Sequence, residues 1–168
     1  MRGFVLGIFT TIVILVVSVC LFVRSGGVSL ATNAPPFPLE ETVAKMALRA
    51  SIGSAADQKN PLPFDDSNML AGVNTYKDHC ALCHGAPERS PTAISKGMFP
   101  PPPQLFVPAD MVTDDAEGVT YWKVTHGIRL SGMPSFAATL SDTQRWQVTM
   151  LVAHADKLPR GAQAAFGR

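Results

Sequence analysis

The chain has 168 residues, a formal net charge of +1 at pH 7 and a pI near 7.8. That length holds one ordinary domain with additional segments, since domains cluster near roughly 100–150 residues, and the near-neutral balance excludes the basic stripe of a nucleic-acid binder. Three cysteines are too few for a disulfide-stapled scaffold, and Cys20 lies inside the apolar N-terminal run, so Cys80 and Cys83 are left for chemistry.

Gly3 to Val23 carries no charge and consists mainly of Phe, Val, Leu and Ile. As a helix it would extend about 30 Å, the thickness of a bilayer's hydrocarbon core. The competing reading is a cleaved signal peptide. Such a signal has an apolar region of about 7–15 residues, whereas this run is longer, is followed by Arg24, and has only weak small-residue pairs beyond it, Ser29 with Ala31 and Thr32 with Ala34. Residues 1–24 are therefore read as a transmembrane anchor. Arg2 and the terminal amine on one side against Arg24 on the other give no firm orientation.

Residues 25–64 read as a linker. Ser25 to Pro38 is rich in Gly, Ser, Asn and Pro. Leu39, Val43, Met46, Ala47 and Ala50 then recur at helical spacing, with Glu40 and Glu41 in the first turn, and predict a short amphipathic helix near 39–51. That helix either packs on the domain or docks on a membrane partner. Ile52 to Asp65 returns to loop composition, with Pro61 and Pro63 arguing against a regular helix.

Residues 65–158 read as one all-α domain, with 159–168 as a tail. Ser67 or Asp66 can cap a helix with Leu70, Val73 and Tyr76 on one face, running into Cys80. Thr113 can cap a second, with Asp114, Asp115 and Glu117 in its first turn, Val119, Trp122 and Val124 inward, and Gly127 at its end. Ser141 with Gln144 forms a capping box that opens a third, carrying Trp146, Val148, Met150, Leu151 and Val152 and closed before Pro159. No segment alternates with period two, and there is no internal repeat.

Cys80-Ala81-Leu82-Cys83-His84 is the attachment sequence for a c-type haem. Two thiols three residues apart can each add to a vinyl group, while the next side chain offers the iron an imidazole nitrogen. A redox dithiol would want a βαβ context, and a structural zinc site would want a second ligand pair, whereas His126 and His154 stand far apart. For the sixth iron ligand, Met133 stands out in Ser131-Gly132-Met133-Pro134, where Gly lets the backbone approach and Pro stiffens the exit. Met98, Met111 and His126 are the alternatives. Met69 and Met150 fall in predicted helices and read as core, and His79 falls on the wrong side of the motif.

At these residues the chain resembles the class I c-type cytochromes, over roughly Asp65 to Leu158. The likeness rests on Gly72 and Tyr76 before the attachment motif, on Pro103-Gln104-Leu105 closing a proline loop, on Gly132-Met133-Pro134, and on the last helix entered through Leu140-Ser141. The resemblance implies the class I cytochrome c fold, helices around one covalently attached haem c. It implies that the first and last helices cross at Gly72, against Val148, Leu151 or Val152. It also implies that the Pro103 carbonyl accepts the Nδ1 proton of His84 and that Leu105 faces the haem. Trp122 and Phe136 read as core aromatics with the option of touching the macrocycle. Arg129 is either a partner for a haem propionate or a solvated cation.

The reading is an electron carrier, not an enzyme, exchanging single electrons with redox partner proteins and taking neither nucleic acid nor a small-molecule substrate. Because haem of this class is attached outside the cytoplasm, the resemblance also implies a single pass through a bacterial cytoplasmic membrane, with the haem domain on the periplasmic side. A fixed haem subunit of a larger respiratory or dehydrogenase complex, and a haem-based gas sensor or peroxidase, are the other readings. Cell fractionation should place the full-length protein in a membrane pellet that resists salt and alkali, with the haem domain open to protease only from the outer side. Release of a mature form beginning near Ala31 to Pro35 would instead make the apolar run a signal peptide.

Overall fold

The computed structural model describes residues 1–167, which fall into two compact units, Met1–Glu41 and Thr42–Arg168. In the first unit, α1 (Arg2–Arg24) has none of its residues buried. By length and composition it is able to cross a membrane. Thr10 and Thr11 return their hydroxyls to the carbonyls of Leu6 and Gly7, so neither leaves a polar group unsatisfied along this apolar helix.

The second unit is helical, and no strand occurs among the described residues; an isolated antiparallel bridge joins Ile128 and Met133. Its elements in chain order are α2 (Glu40–Ile52, whose first two residues belong to the other unit), a 3₁₀ turn (Gly53–Asp57), α3 (Asp66–His79), α4 (Ala81–His84), α5 (Ala93–Lys96), α6 (Glu117–His126), α7 (Asp142–Ala153), a second 3₁₀ turn (Ala155–Lys157) and α8 (Arg160–Phe166).

The α3 and α7 pair forms the centre. α3 is capped one residue before the nearer of the two expected caps, Asp66: the Asp65 carboxylate accepts the Asn68 amide at 2.8 Å. Its inner face is Met69, Gly72, Val73 and Tyr76, while Leu70, expected inside, is 37% exposed. α7 opens on the predicted capping box, Ser141 and Gln144 each accepting the other's backbone N–H. The two helices cross at Gly72. A Cβ there would stand 2.5 Å from the Gln147 carbonyl oxygen and 3.3 Å from the Leu151 Cβ, so only a residue without one lets the backbones meet. Of the three partners expected, Leu151 is at the crossing, with the Gln147 backbone nearer still.

α6 starts at Glu117, later than its acidic approach suggests. The Asp115 amide closes a turn on the Val112 carbonyl and the Asp115 carboxylate pairs with Lys123 at 3.1 Å, which removes Thr113 as a cap. The buried face is Gly118, Thr120, Val124 and Thr125, with Val119 and Trp122 half-buried. Beneath it the first 3₁₀ turn packs on α6, so the loop expected at 52–65 is built into the domain. Ile52 is buried, and the Asn60 amide donates to the Trp146 carbonyl.

The expected tail is also ordered. α8 follows Pro159, buries Ala162 and Phe166, and packs on α3. Phe166 meets Tyr76 and Phe106 edge-on, with ring centroids 5.9 and 5.0 Å apart, and the Lys77 ammonium donates to the Ala165 carbonyl at 2.9 Å.

Gly72→Val should lower stability by about 1–3 kcal/mol through overpacking against a backbone that cannot yield. This would appear in thermal unfolding of the holoprotein as a fall of several degrees. Gly161→Ala, where a Cβ meets nothing within 4 Å, should change stability by no more than about 0.5 kcal/mol. Equal effects at the two positions would show that the crossing is not the constraint.

Candidate functional site

α3 ends by delivering Cys80 into the short helix α4, which carries Cys83 and His84. Every carbonyl of this turn accepts a hydrogen bond. The Cys80 oxygen accepts from the Cys83 and His84 amides, and the Ala81 oxygen from the Gly85 amide. The Leu82 oxygen accepts the Thr92 hydroxyl at 2.7 Å and the Cys83 oxygen the Gln104 side-chain amide at 3.1 Å. The His84 oxygen accepts from the Leu105 amide. The Tyr76 hydroxyl is shared between the carbonyls of His84 (3.2 Å) and Gly85 (2.9 Å). The turn is thereby held from α3, from α5 and from the proline loop.

The His84 ring is fixed as well. Its Nδ1 lies 2.9 Å from the Pro103 carbonyl, which can only accept, so Nδ1 carries the proton and Nε2 keeps its lone pair. Burial lowers the His84 pKa and outweighs the opposing pull of that hydrogen bond, favouring the neutral ring that a ligand to iron requires. Gln104 also donates to the Pro102 carbonyl, tying the loop to itself.

Cys80 and Cys83 are both free thiols and half-buried. Burial, reinforced by the neighbouring Cys83, pushes the Cys80 thiol up to about 12. A reactive redox dithiol has its leading thiol lowered, so the pair does not resemble one. Three or more His, Cys, Asp or Glu side chains do not gather in a metal-holding group among the described residues. Burial raises the Tyr76 phenol still further, so its hydroxyl keeps its proton and acts as donor.

The loop bearing Met133 is anchored to the C-terminal end of α6. The last carbonyls of a helix lack partners within it, and here Val124 and Thr125 receive the Phe136 amide (3.1 Å) and the Ser135 hydroxyl (2.6 Å). Ile128 donates to the Met133 carbonyl, and Ser131 bridges the Ile128 carbonyl and the Met133 amide. Gly127 makes this return possible: its φ is +67°, and a Cβ would stand 2.6 to 2.7 Å from the backbone of Met133, Pro134 and Ser135.

These segments enclose a cavity of about 420 Å³ lined by Cys80, Cys83, His84, Pro103, Leu105 and Met133 among others, with an almost wholly apolar surface. The volume lies within the range of about 300–1,000 Å³ usual for cofactor pockets. Of the alternative sixth ligands, Met98 lines the same cavity, with its methyl 2.7 Å from where a Gly132 Cβ would be, but Met111 and His126 do not. His126 is exposed beside Trp122, and Met69 and Met150 are in the core. His79, set aside by its position in the sequence, does reach the wall, edge-on to Phe136, which also lines it; Trp122 does not. Arg129 is exposed and lies outside the lining, so the structure does not bring it to the cavity; the cations that reach it are Lys45 and Lys123.

Residues 67–150, half of the chain, match the model of the family described as cytochrome c oxidase, cbb3-type, subunit III. The chain belongs to this family of c-type cytochrome domains. No curated protein and no solved structure matches the chain. A c-type cytochrome domain binds haem c covalently, and the donor set fits that group: two thiols, an oriented neutral imidazole and thioethers on an apolar wall. Haem supplies a one-electron Fe(II)/Fe(III) couple. This c-type cytochrome holds its attachment turn by a device the sequence shows only as an aromatic residue four positions before Cys80, the Tyr76 hydroxyl. Gln104 shows in the sequence only as part of the Pro103-Gln104-Leu105 likeness, and Thr92 gives no signal of its own.

Tyr76→Phe keeps the ring between Phe106 and Phe166 but removes the donor to His84 and Gly85. It should cost about 1–3 kcal/mol, the penalty of leaving buried acceptors short. It should also perturb the His84 ring signals in the NMR spectrum of the holoprotein. A variant with wild-type stability and wild-type His84 signals would show that the hydroxyl does not hold the turn.

Proposed function

We propose that this chain is a membrane-anchored electron carrier with one covalently attached haem, bound through Cys80 and Cys83 and held at its iron by His84 and Met133. The observation that carries the reading is that the two thiols, the oriented imidazole and the Met133 thioether line one apolar cavity. Cys80 and Cys83 would each add an S–H across a vinyl C=C, the sulfur forming a C–S bond and the hydrogen going to the other carbon, so attachment would need no oxidant. Pro103 fixes the His84 ring and raises its basicity, and Leu105 excludes water from the same wall. With His84 and Met133 both committed to holding the iron, exchange would be outer-sphere, and the chain would be a carrier and not an enzyme.

α1 would confine the domain to the plane of a bacterial cytoplasmic membrane, raising its effective concentration beside membrane-bound redox partners. The haem domain would face the periplasm. The description of the matched family as an oxidase subunit favours a second reading, a fixed haem subunit of a larger complex. Purification in mild detergent separates the two. A shuttle runs alone, whereas a subunit co-migrates with other redox proteins at constant stoichiometry.

Intact mass measured under denaturing conditions should exceed the chain by one haem. Cys80→Ala or Cys83→Ala should weaken retention, and the double substitution should abolish it; zinc in the wild-type protein would sink the reading. Met133→His should keep the iron six-coordinate and lower the midpoint potential, because methionine with histidine favours the reduced state. Met133→Ala should open the site to carbon monoxide. Rapid carbon monoxide binding by the reduced wild-type protein would move the sensor or peroxidase reading to first place.

A further inference from the structure

Two residues of the cavity wall come from the chain that precedes the family-matched segment, Lys45 and Leu48 of α2. With Ile52 they share a helix face at i, i+3 and i+7. Burial along this face rises toward the domain, from the exposed Lys45 through the half-buried Leu48 to Ile52 at 8% exposure, whereas Val43 and Met46 are 60% and 65% exposed. The apolar stripe that defines the helix in the sequence therefore points outward, and the face bearing a lysine points at the cavity.

Among the described residues the lysines that reach that lining are Lys45 and Lys123. The Lys123 ammonium is held in place by Asp115 at 3.1 Å. A lysine can lay its methylene stem along an apolar wall while its ammonium meets an anion. Two cations on a wall that is otherwise apolar suit a ligand that is apolar over most of its surface and anionic at one edge. A haem has that shape, with two propionate carboxylates on one side of a hydrocarbon macrocycle.

We propose that Lys45 is a cofactor-binding residue, pairing with a propionate carboxylate beside Lys123, and that α2 forms a wall of the haem site in place of the linker its position in the chain suggests. Leu48, one turn along the same face, covers the macrocycle. The inference rests on the covalent haem proposed above.

Redox titration of the purified full-length holoprotein tests it. The oxidised holoprotein carries one more positive charge than the reduced form, so a cation close by raises the midpoint potential. Lys45→Met should lower the midpoint, Lys45→Glu should lower it further, and Lys45→Arg should stay near wild type. The shift should persist at about 0.5 M salt, where surface charges more than several ångströms apart are screened. Lys157→Glu, at a side chain 82% exposed, is the control for remote charge. As a second readout, amide exchange over residues 42–50 of the holoprotein should quicken several-fold in Lys45→Glu and not in Lys45→Arg. A Lys45→Glu midpoint no lower than that of the control, with unchanged exchange, overturns the proposal while leaving the covalent haem intact. Absence of covalent haem from the wild-type protein overturns both.

Discussion

The near-contact of α3 and α7 at Gly72, with the Gln147 carbonyl where a Cβ would go, is the constraint from which the site follows. It sets how deep the inner face of α3 lies, so that Met69, Val73 and Tyr76 are almost wholly buried against Val148 and Leu151. With the axis of α3 fixed, its C-terminal end has little freedom, and the attachment turn begins there. A larger residue at 72 would not only cost packing energy. It would displace Cys80, Cys83 and His84 together.

From that end outward, positioning passes to hydrogen bonds. The Tyr76 hydroxyl, the Gln104 amide and the Thr92 hydroxyl each take a carbonyl of the turn, and the Pro103 carbonyl takes the His84 ring. In a low-dielectric interior an unpaired carbonyl would be costly, so these bonds specify one conformation more than they add net stability. The Met133 loop follows the same logic, satisfying the last carbonyls of α6. Apolar packing decides where the elements lie, and polar satisfaction decides how the reactive side chains point.

How much of this was legible in the sequence depended on whether the signal was local. The Cys80 to His84 motif and the Ser141 and Gln144 box each rest on a few adjacent residues with one strong physical meaning, the Gly72 crossing is legible only through the resemblance to class I c-type cytochromes, and the all-helical class follows from the missing period-two pattern. The start of α6 was misjudged because Asp115 serves a turn and Lys123 instead of a helix dipole, which is a tertiary choice. α8 is not legible in the sequence because seven residues do not hold a helix alone; Phe166, packed against both Phe106 and Tyr76, holds it. The inward face of α2 was invisible for the opposite reason, since the periodicity of Val43, Met46 and Ala47 was real but faces solvent. Arg129 was a candidate only through its place in the chain, and the turn at Ile128 to Met133 carries it outward.

The central proposal is that His84 and Met133 would hold the iron, and the cavity contains a second thioether, Met98, against which it can be tested. Proton NMR of the reduced holoprotein, with methionine methyls labelled and assigned by substitution, is the direct measurement. A methyl bound at the iron sits in the ring current of the macrocycle and moves far upfield of all others. The account predicts one such methyl and assigns it to Met133, with the Met98 methyl in the ordinary range. A strongly upfield signal belonging to Met98, or none at all, would contradict it.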